Sequence, residues 1–397
     1  MSKRTLGQLN AAHLDGQRVV VRVDLNVPMT DGKVTDDTRI RASLPTISFL
    51  HDKGARVVLL SHLGRPKGGP DPKYSLKPVA RELEKQLGFP VTFLPDPTSA
   101  DAPGIVRHMP RGGVALAENT RFYPGEEAND DALADKFAAL GDMFVNDAFG
   151  SAHRAHSSTE GIARRLKPAV SGFLMEKELR FLGEAIDHPK RPFVAILGGA
   201  KISGKIDLVE ALLPKVDRIL IGGAMACTFF KAMGLETGNS LVEADRVEMA
   251  KALLEKAGEK IVLPSGAVIA QKLESGAGTR EVPRDQIPVG WAVYDIDSKS
   301  VAEFAAIIAG SQTVIWNGPM GVFETPPFDQ GTMGVAHALA AATAAGAITI
   351  VGGGDSAAAI AAAKLESKVS HVSTGGGASL EFLEGKPLPG VAALDEG

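Results

Sequence analysis

The sequence predicts a doubly wound α/β protein in two lobes, each built on a parallel sheet. Three observations carry that expectation. Short β-branched runs recur along the 397 residues with helical stretches between them, which is the βαβ rhythm. The runs are apolar without polar alternation, as strands covered on both faces require. The chain is 44% apolar but only 5% aromatic, with 44 glycines, a balance that suits an α/β core better than a sandwich. At ~100–200 residues per domain, the length fits two domains.

In chain order the first half offers "RVVVRVDLN" (18–26), "RVVLLSHLGR" (56–65), "GGVALAENTRF" (112–122) and "DMFVNDAFG" (142–150). The second offers "PFVAILGGA" (192–200), "RILIGGA" (218–224), "TVIWNGPMG" (313–321), "ITIVGGGDS" (348–356) and "HVSTGGGAS" (371–379). Helices fall between them, among them "SLKPVARELEKQLG" and "DRVEMAKALLEKAGEK". Between the halves Met175, Leu179, Leu182 and Ile186 share one helical stripe and Pro189 stops it, so a single helix over 173–187 joins the lobes. The expected division is 1–172, the helix 173–187, and 188–384, with the Pro/Gly-rich tail 385–397 free to return to the first lobe.

Charge and cysteine usage narrow the class. A net charge of −4 gives no field toward nucleic acid or anionic lipid. Cys227 is the single cysteine, which excludes an intramolecular disulfide and suits a reducing cytosol. No apolar segment follows "MSKRTLGQLN", so no export signal is expected. The weakly polar run Val335–Val351 contains His337 and Thr343 and reads as a buried helix and a strand, not a membrane span.

Ligands of open parallel sheets bind beyond the carboxyl ends of the strands, and the two halves differ there. First-half strands end in side chains: Asp24 and Asn26, His62 and Arg65, Asn119 and Arg121, Asn146 and Asp147. Second-half strands end in backbone: Gly198-Gly199, Gly222-Gly223, Asn317-Gly318-Pro319, Gly352-Gly353-Gly354 and Gly375-Gly376-Gly377. One half is suited to gripping a small anion, the other to close approach by a phosphate chain.

Two glycine motifs need weighing. Gly199 to Lys205 fits G-x-x-x-x-G-K, but Ile206 stands where a Ser or Thr would hold Mg²⁺. Gly352 to Ala357 fits G-x-G-x-x-A, yet no acidic residue closes the next strand to hold a ribose. Asp355 lies in that turn, where it suits a metal bridging to phosphates; the alternative is a helix cap. With Asp355 as metal ligand, Ile206 is no defect. Lys201 and Lys205 then matter, four apart on one face of the helix expected to start there. His153 and His156 flank Arg154 and lack a third ligand, so an anion loop is the better reading than a metal site. Arg39 and Arg41 are two apart, so only one enters a given site.

The blocks "VRVDLNVP", "SHLGRP", "ENTRFYPGE", "FVNDAFGSAHRAHSS", "SGFLMEKEL", "LGGAKISGK", "WNGPMGVFE", "VGGGDS" and "HVSTGGGAS" resemble the phosphoglycerate kinase family, in its order and from end to end. The resemblance implies two Rossmann-like lobes joined by a helix, the first binding 3-phosphoglycerate or 1,3-bisphosphoglycerate, the second Mg²⁺-bound ADP or ATP. It implies that Asp24 and Asn26 hold the glycerate end and that His62, Arg65, Arg121 and Arg154 grip the phosphate that stays. Arg39, Lys205 and the backbone at Gly354 and Gly376 would meet the phosphoryl group in transit. Lys201, Lys205, Asn317, Pro319, Gly352, Gly353, Gly354 and Ser356 would contact the nucleotide, Gly222 and Gly223 its adenine, Glu324 its ribose, and Asp355 the metal. A monomeric, cytoplasmic, hinge-bending enzyme is implied, with no nucleic-acid or membrane partner. One departure is Asp297, where many relatives carry glycine. The other classes the residues admit are an NAD-dependent dehydrogenase, which lacks its ribose acid here, and a non-catalytic two-lobe anion-binding protein.

Overall fold

The computed structural model describes residues 3–397. The chain divides into two compact units, one running to Arg180 and including Pro387–Gly397, the other Phe181–Lys386.

In the first unit, strands β1 (Arg18–Arg22), β4 (Arg56–Leu60), β5 (Val91–Leu94), β6 (Val114–Ala117), β7 (Met143–Asn146) and β8 (Ala169–Ser171) form a sheet in the order β5-β6-β4-β1-β7-β8, all parallel. A small antiparallel hairpin, β2 (Met29–Thr30) and β3 (Lys33–Val34), follows β1. Helices α1 (Thr38–Asp52), α2 (Lys77–Leu87), α3 (Ala102–His108) and α4 (Asp131–Ala138) connect the strands.

Strand periodicity explains the two faces. Val19, Val21, Val57 and Leu59 share a core with Ile47, Leu50, Val79 and Leu83 from α1 and α2. Val20, Val58, Ala115 and Phe144 share another with Val106, Leu133 and Phe137 from α3 and α4. Alternate residues of one strand are therefore apolar on both sides, and each fully buried Leu or Phe contributes about 1.5–3 kcal/mol. Gly88, at φ +76°, ends α2. The tail is tied into this unit: the buried Lys3 ammonium donates to the carbonyls of Ala392 and Leu394, and Arg4 N–H donates to Asp395.

Helix α5 (Phe173–Asp187) carries the chain from one unit to the other. Of its expected stripe, Met175, Leu182 and Ile186 are buried and Leu179 is half-buried. In the second unit, β9 (Phe193–Leu197), β10 (Arg218–Ile221), β11 (Ile261–Val262), β15 (Thr313–Asn317), β16 (Ile348–Gly352) and β17 (His371–Val372) form a parallel sheet ordered β11-β10-β9-β15-β16-β17. Beside it β12 (Gly266–Ala270), β13 (Arg280–Pro283) and β14 (Ala292–Ile296) make an antiparallel sheet. The helices are α6 (Ile206–Leu212), α7 (Met225–Ala232), α8 (Val247–Ala257), α9 (Ser298–Ala309), α10 (Gln330–Ala344), α11 (Gly354–Ala362) and α12 (Gly377–Leu383); the short α13 (Pro389–Ala392) lies in the returned tail. The run 335–351 is the end of α10 followed by β16. No helix of the described residues is long and apolar enough to cross a membrane.

Candidate functional site

Each sheet has a place where its winding reverses. In the first unit this is β1, flanked by β4 and β7, with Arg22 in register with Leu60 and Asn146. Residues 23–26, 61–65 and 147–154 therefore leave the sheet side by side, at the position where open α/β sheets bind ligands.

The loops there are held by their own side chains. Asn26 Oδ1 accepts from Gly64 N–H at 2.8 Å. Asn119 accepts from Leu63 and Arg121 N–H and donates to the carbonyls of Leu63 and Tyr74. Arg39, second residue of α1, donates through one Nη to both oxygens of Asp24, at 3.1 and 3.2 Å, and to the Asn26 carbonyl at 3.0 Å. Arg121 donates to the Gly64 carbonyl at 2.7 Å and pairs with Glu127 at 3.0 Å. Arg154 Nε donates to His153 Nε2 at 3.2 Å.

The gathered cations act on one another. Burial, then Arg22, Arg121, Arg39 and His156, hold His62 well below the usual imidazole value. Burial and the arginines also push His156 down to about 4. Arg121 is lowered by burial and by Arg154 and Arg65, against the pull of Glu127. A cluster that depresses its own charge in this way favours an anion.

Several strand-end residues serve the fold instead. Asn146 accepts from Ala148 N–H and donates to the Gly390 carbonyl. Asp147 Oδ1 accepts from Leu174 and Met175 N–H at the start of α5, and burial raises it to about 6. Two residues absent from the expected site lie beneath it, Arg22 and Glu126, 0% and 1% exposed. Arg22 sits inside a β-branched run and is legible as an exception to it; Glu126 carries no spacing signal. His153 and His156 join no cluster of three metal-ligating side chains among the described residues.

In the second unit the winding reverses between β9 and β15, with Asn317 in register with Leu197 and Gly352. A cavity of about 330 Å³ opens there, lined by residues that include Gly198, Gly199, Lys201, Gly204, Lys205, Asn317, Pro319, Gly353, Gly354, Asp355, Ser356, Gly376 and Gly377. Lys205 Nζ donates to Asn317, through its carbonyl at 3.3 Å and its side-chain oxygen. Burial lowers this ammonium to about 8, against the pull of Asp355 and Glu384. Asn317 Nδ2 is buried without a hydrogen-bond partner. Gly353 has φ +90°, and a Cβ there would stand 2.9 Å from that same nitrogen, so the turn admits only glycine.

One expectation changes and one alternative falls away. Lys201 and Lys205 do not share a helical face, because α6 begins at Ile206 with Lys205 as its N-cap residue. Glu243 accepts from the Ser203 N–H and hydroxyl and Ile202 is buried, which turns the segment before the helix can start. Asp355 is not a cap either: Gly353 is the N-cap residue and no side chain caps α11. Its exposed carboxylate faces the cavity from the first turn.

The structure divides the other nucleotide-site residues. Ser356 lines the cavity, but its hydroxyl is buried and accepts from Gly318 N–H at 2.6 Å. Gly222, Gly223, Gly352 and Glu324 are outside the lining. Gly222 packs on Met320, and a Cβ on Gly223 would meet the Gly199 backbone at 2.4 Å, so this pair permits close packing of two strand-end loops. Asp297 N-caps α9, accepting from Ser300 N–H at 2.9 Å with an ordinary φ of −75°; it is not a cavity residue and its backbone needs no glycine.

One switch point that collects cations and another that offers glycine backbone, two lysines and a lone carboxylate define a protein that handles phosphorylated ligands. The phosphoglycerate kinase family model matches residues 9–386. The chain is 53% identical over 399 residues to the cytosolic phosphoglycerate kinase of Triticum aestivum, covering 100% of this chain and 99% of that one. It is 53% identical over 399 residues to the chloroplastic enzyme of Chlamydomonas reinhardtii, covering 99% and 87%. The solved structure of phosphoglycerate kinase from Coxiella burnetii superposes with a TM-score of 0.89 at 42% identity, covering 98% of each chain. The chain belongs to the phosphoglycerate kinase family.

Proposed function

We propose that this chain transfers a phosphoryl group reversibly between 1,3-bisphosphoglycerate and ADP, giving 3-phosphoglycerate and ATP. The observation that carries the reading is the pair of switch-point sites, one cationic and one phosphate-loop-like, in a family member matched over nearly its whole length. The first unit takes the phosphoglycerate, the second the nucleotide.

The chemistry asks little of the protein by way of acids and bases. The acyl phosphate releases a carboxylate, which needs no proton, and the accepting phosphate oxygen is already ionised. Alignment and charge stabilisation remain. Arg65, Arg121, Arg154 and His62 hold the phosphate that stays; Asp24 and Asn26 orient the glycerate and Arg39. Lys201, Lys205 and the main-chain N–H groups at Gly354 and Gly376 face the nucleotide phosphates. Gly222 and Gly223 shape the adenine side, with Asn317, Pro319 and Glu324 on the nucleotide wall.

Asp355 suits Mg²⁺ that arrives with the nucleotide, since that ion takes one or two carboxylates plus phosphate oxygens and water. When bound, the ion neutralises charge on the phosphates; Asp355 is the residue that would hold it. Water must be excluded from an acyl phosphate, and we assign that to hinge closure with both ligands bound, acting at α5. The enzyme is proposed to be monomeric and cytoplasmic. A coupled assay with 3-phosphoglycerate and Mg-ATP tests the reading: ATP consumption that depends on 3-phosphoglycerate is expected. Tight binding of both ligands without turnover would leave a non-catalytic binding protein.

A further inference from the structure

We infer that Arg22 is a positioning residue for the phosphoglycerate site: lying beneath His62, it holds the ring as the neutral Nε2–H tautomer, so that His62 meets the substrate phosphate as a hydrogen-bond donor and not as a cation. The inference rests on the assignment of His62 to that site under Proposed function.

The geometry leaves little choice of proton position. Arg22 ends β1 and is 0% exposed, and His62 is 9% exposed. One Nη of Arg22 lies 3.0 Å from His62 Nδ1. A guanidinium has five donors and no acceptor, so Nδ1 must present its lone pair. The ring's proton is then on Nε2, and Nε2–H is its one N–H donor.

Arg22 is itself fixed from three other sides. Its Nε donates to Ser158 Oγ at 2.9 Å, one Nη to the Val23 carbonyl, and the other also reaches Ser151 Oγ at 3.5 Å. Ser158 donates both its hydroxyl and its N–H to the buried Glu126 carboxylate, which supplies the counter-charge. A relay from Glu126 through Ser158 and Arg22 to His62 thus crosses four separate segments of the chain. This gives a function to the two buried charges that the catalytic reading leaves unused.

Charging the ring would replace the Nδ1 lone pair with an N–H aimed at a guanidinium. Arg22, Arg121, Arg39 and His156 all disfavour that charge, while the nearby carboxylates Glu126 and Asp24 act on Arg22. Burial and these cations hold His62 well below the ordinary imidazole range. A neutral donor keeps the same hydrogen bond across the pH range where free histidine switches. The arginines carry the charge.

The test is nitrogen-15 NMR of the full chain labelled at histidine, with His62 assigned by its loss in His62→Gln. The two ring nitrogens report the tautomer directly. The expected result is a protonated Nε2, an unprotonated hydrogen-bonded Nδ1, and no change between about pH 5.5 and 8. A protonated Nδ1, or an ordinary titration near pH 6.5, would overturn the inference. In Arg22→Met, His62 should begin to titrate and the KM for 3-phosphoglycerate should acquire a matching pH dependence. A folded Arg22→Met with the wild-type tautomer and no titration would remove Arg22 from the role; if that variant does not fold, the wild-type spectrum decides alone. Adding 3-phosphoglycerate separates the two levels. A tautomer as described with no ligand-induced shift at His62 would overturn its place in the substrate site and leave the tautomer standing. A shifted but wrong tautomer would do the reverse.

Discussion

Arg39 enters α1 with one terminal nitrogen committed to Asp24 and Asn26, an anchorage that aims the rest of the guanidinium. Because its assigned contact strengthens as charge moves, Arg39→Ala should lower kcat far more than it raises either KM. A lost donor of this kind costs about 2.7–4 kcal/mol, roughly 10²–10³ in rate; steady-state kinetics with near-normal kcat would take Arg39 out of the chemistry. Asp355→Asn should weaken Mg-ADP binding and leave 3-phosphoglycerate binding intact, since the proposal puts the two ligands on separate units. Calorimetric titration of each ligand alone checks this, and equal damage to both would make Asp355 structural. Lys205 adds a pH signature. Burial holds its ammonium near 8 in the folded chain, below the ordinary lysine value, so the charged form is the costly one there. The cost is complete below pH 8 and is relieved as pH rises from the folded value toward the unfolded one. A bound phosphate favours the ammonium, so nucleotide binding between about pH 8 and 9 should take up a proton and weaken as pH rises. Calorimetry in buffers of different ionisation heat measures that uptake; none would disconnect Lys205 from the phosphates.

At the scale of elements, α5 begins on Asp147, whose buried carboxylate accepts from Leu174 and Met175 N–H. Its folded value of about 6 lies above the ordinary carboxylate value, so the folded state binds the proton more tightly. That stabilisation is complete below the unfolded value and is lost as pH rises through 6. Above it the ionised group costs on the order of 3 kcal/mol. Asp147→Asn keeps an acceptor for α5 and removes the charge, so its thermal midpoint should exceed wild type at pH 8 and the gain should vanish by about pH 4. A gain independent of pH would point to some other cause. The sheets and α5 were legible because their apolar runs are continuous and their helices striped. Strands β5, β8 and β11 were not: β8 (Ala169–Ser171) and β11 (Ile261–Val262) are too short to show a run, and in β5 Thr92 is exposed and Phe93 half-buried on a sheet edge. The antiparallel β12–β14 sheet lacked turn signals of the hairpin kind. The cationic site was readable from strand-end residues, but the same pattern could not separate Arg121, which joins the cluster with Arg154 and Arg65, from Asn119 and Asp147, which hold loops and a helix. The lysine spacing misled because a tertiary contact, Ser203 to Glu243, decides where α6 starts.

For the molecule as a whole, the proposed function places one ligand on each unit and the reaction on neither alone. Closure should therefore be driven by the pair, because a ligand shifts a conformational equilibrium only through contacts that differ between states. Small-angle scattering should show the radius of gyration falling most with both ligands, and full contraction with one alone would contradict that part. The central claim is direct passage of the phosphoryl group from one bound substrate to the other, with no residue of the protein carrying it. Isotope exchange between labelled ADP and ATP tests this most directly. No exchange is expected when the enzyme has nucleotides and Mg²⁺ alone, and rapid exchange once 3-phosphoglycerate is added. Rapid exchange without 3-phosphoglycerate, or radiolabel left on the denatured chain after incubation with ATP labelled at its γ-phosphoryl group, would contradict it.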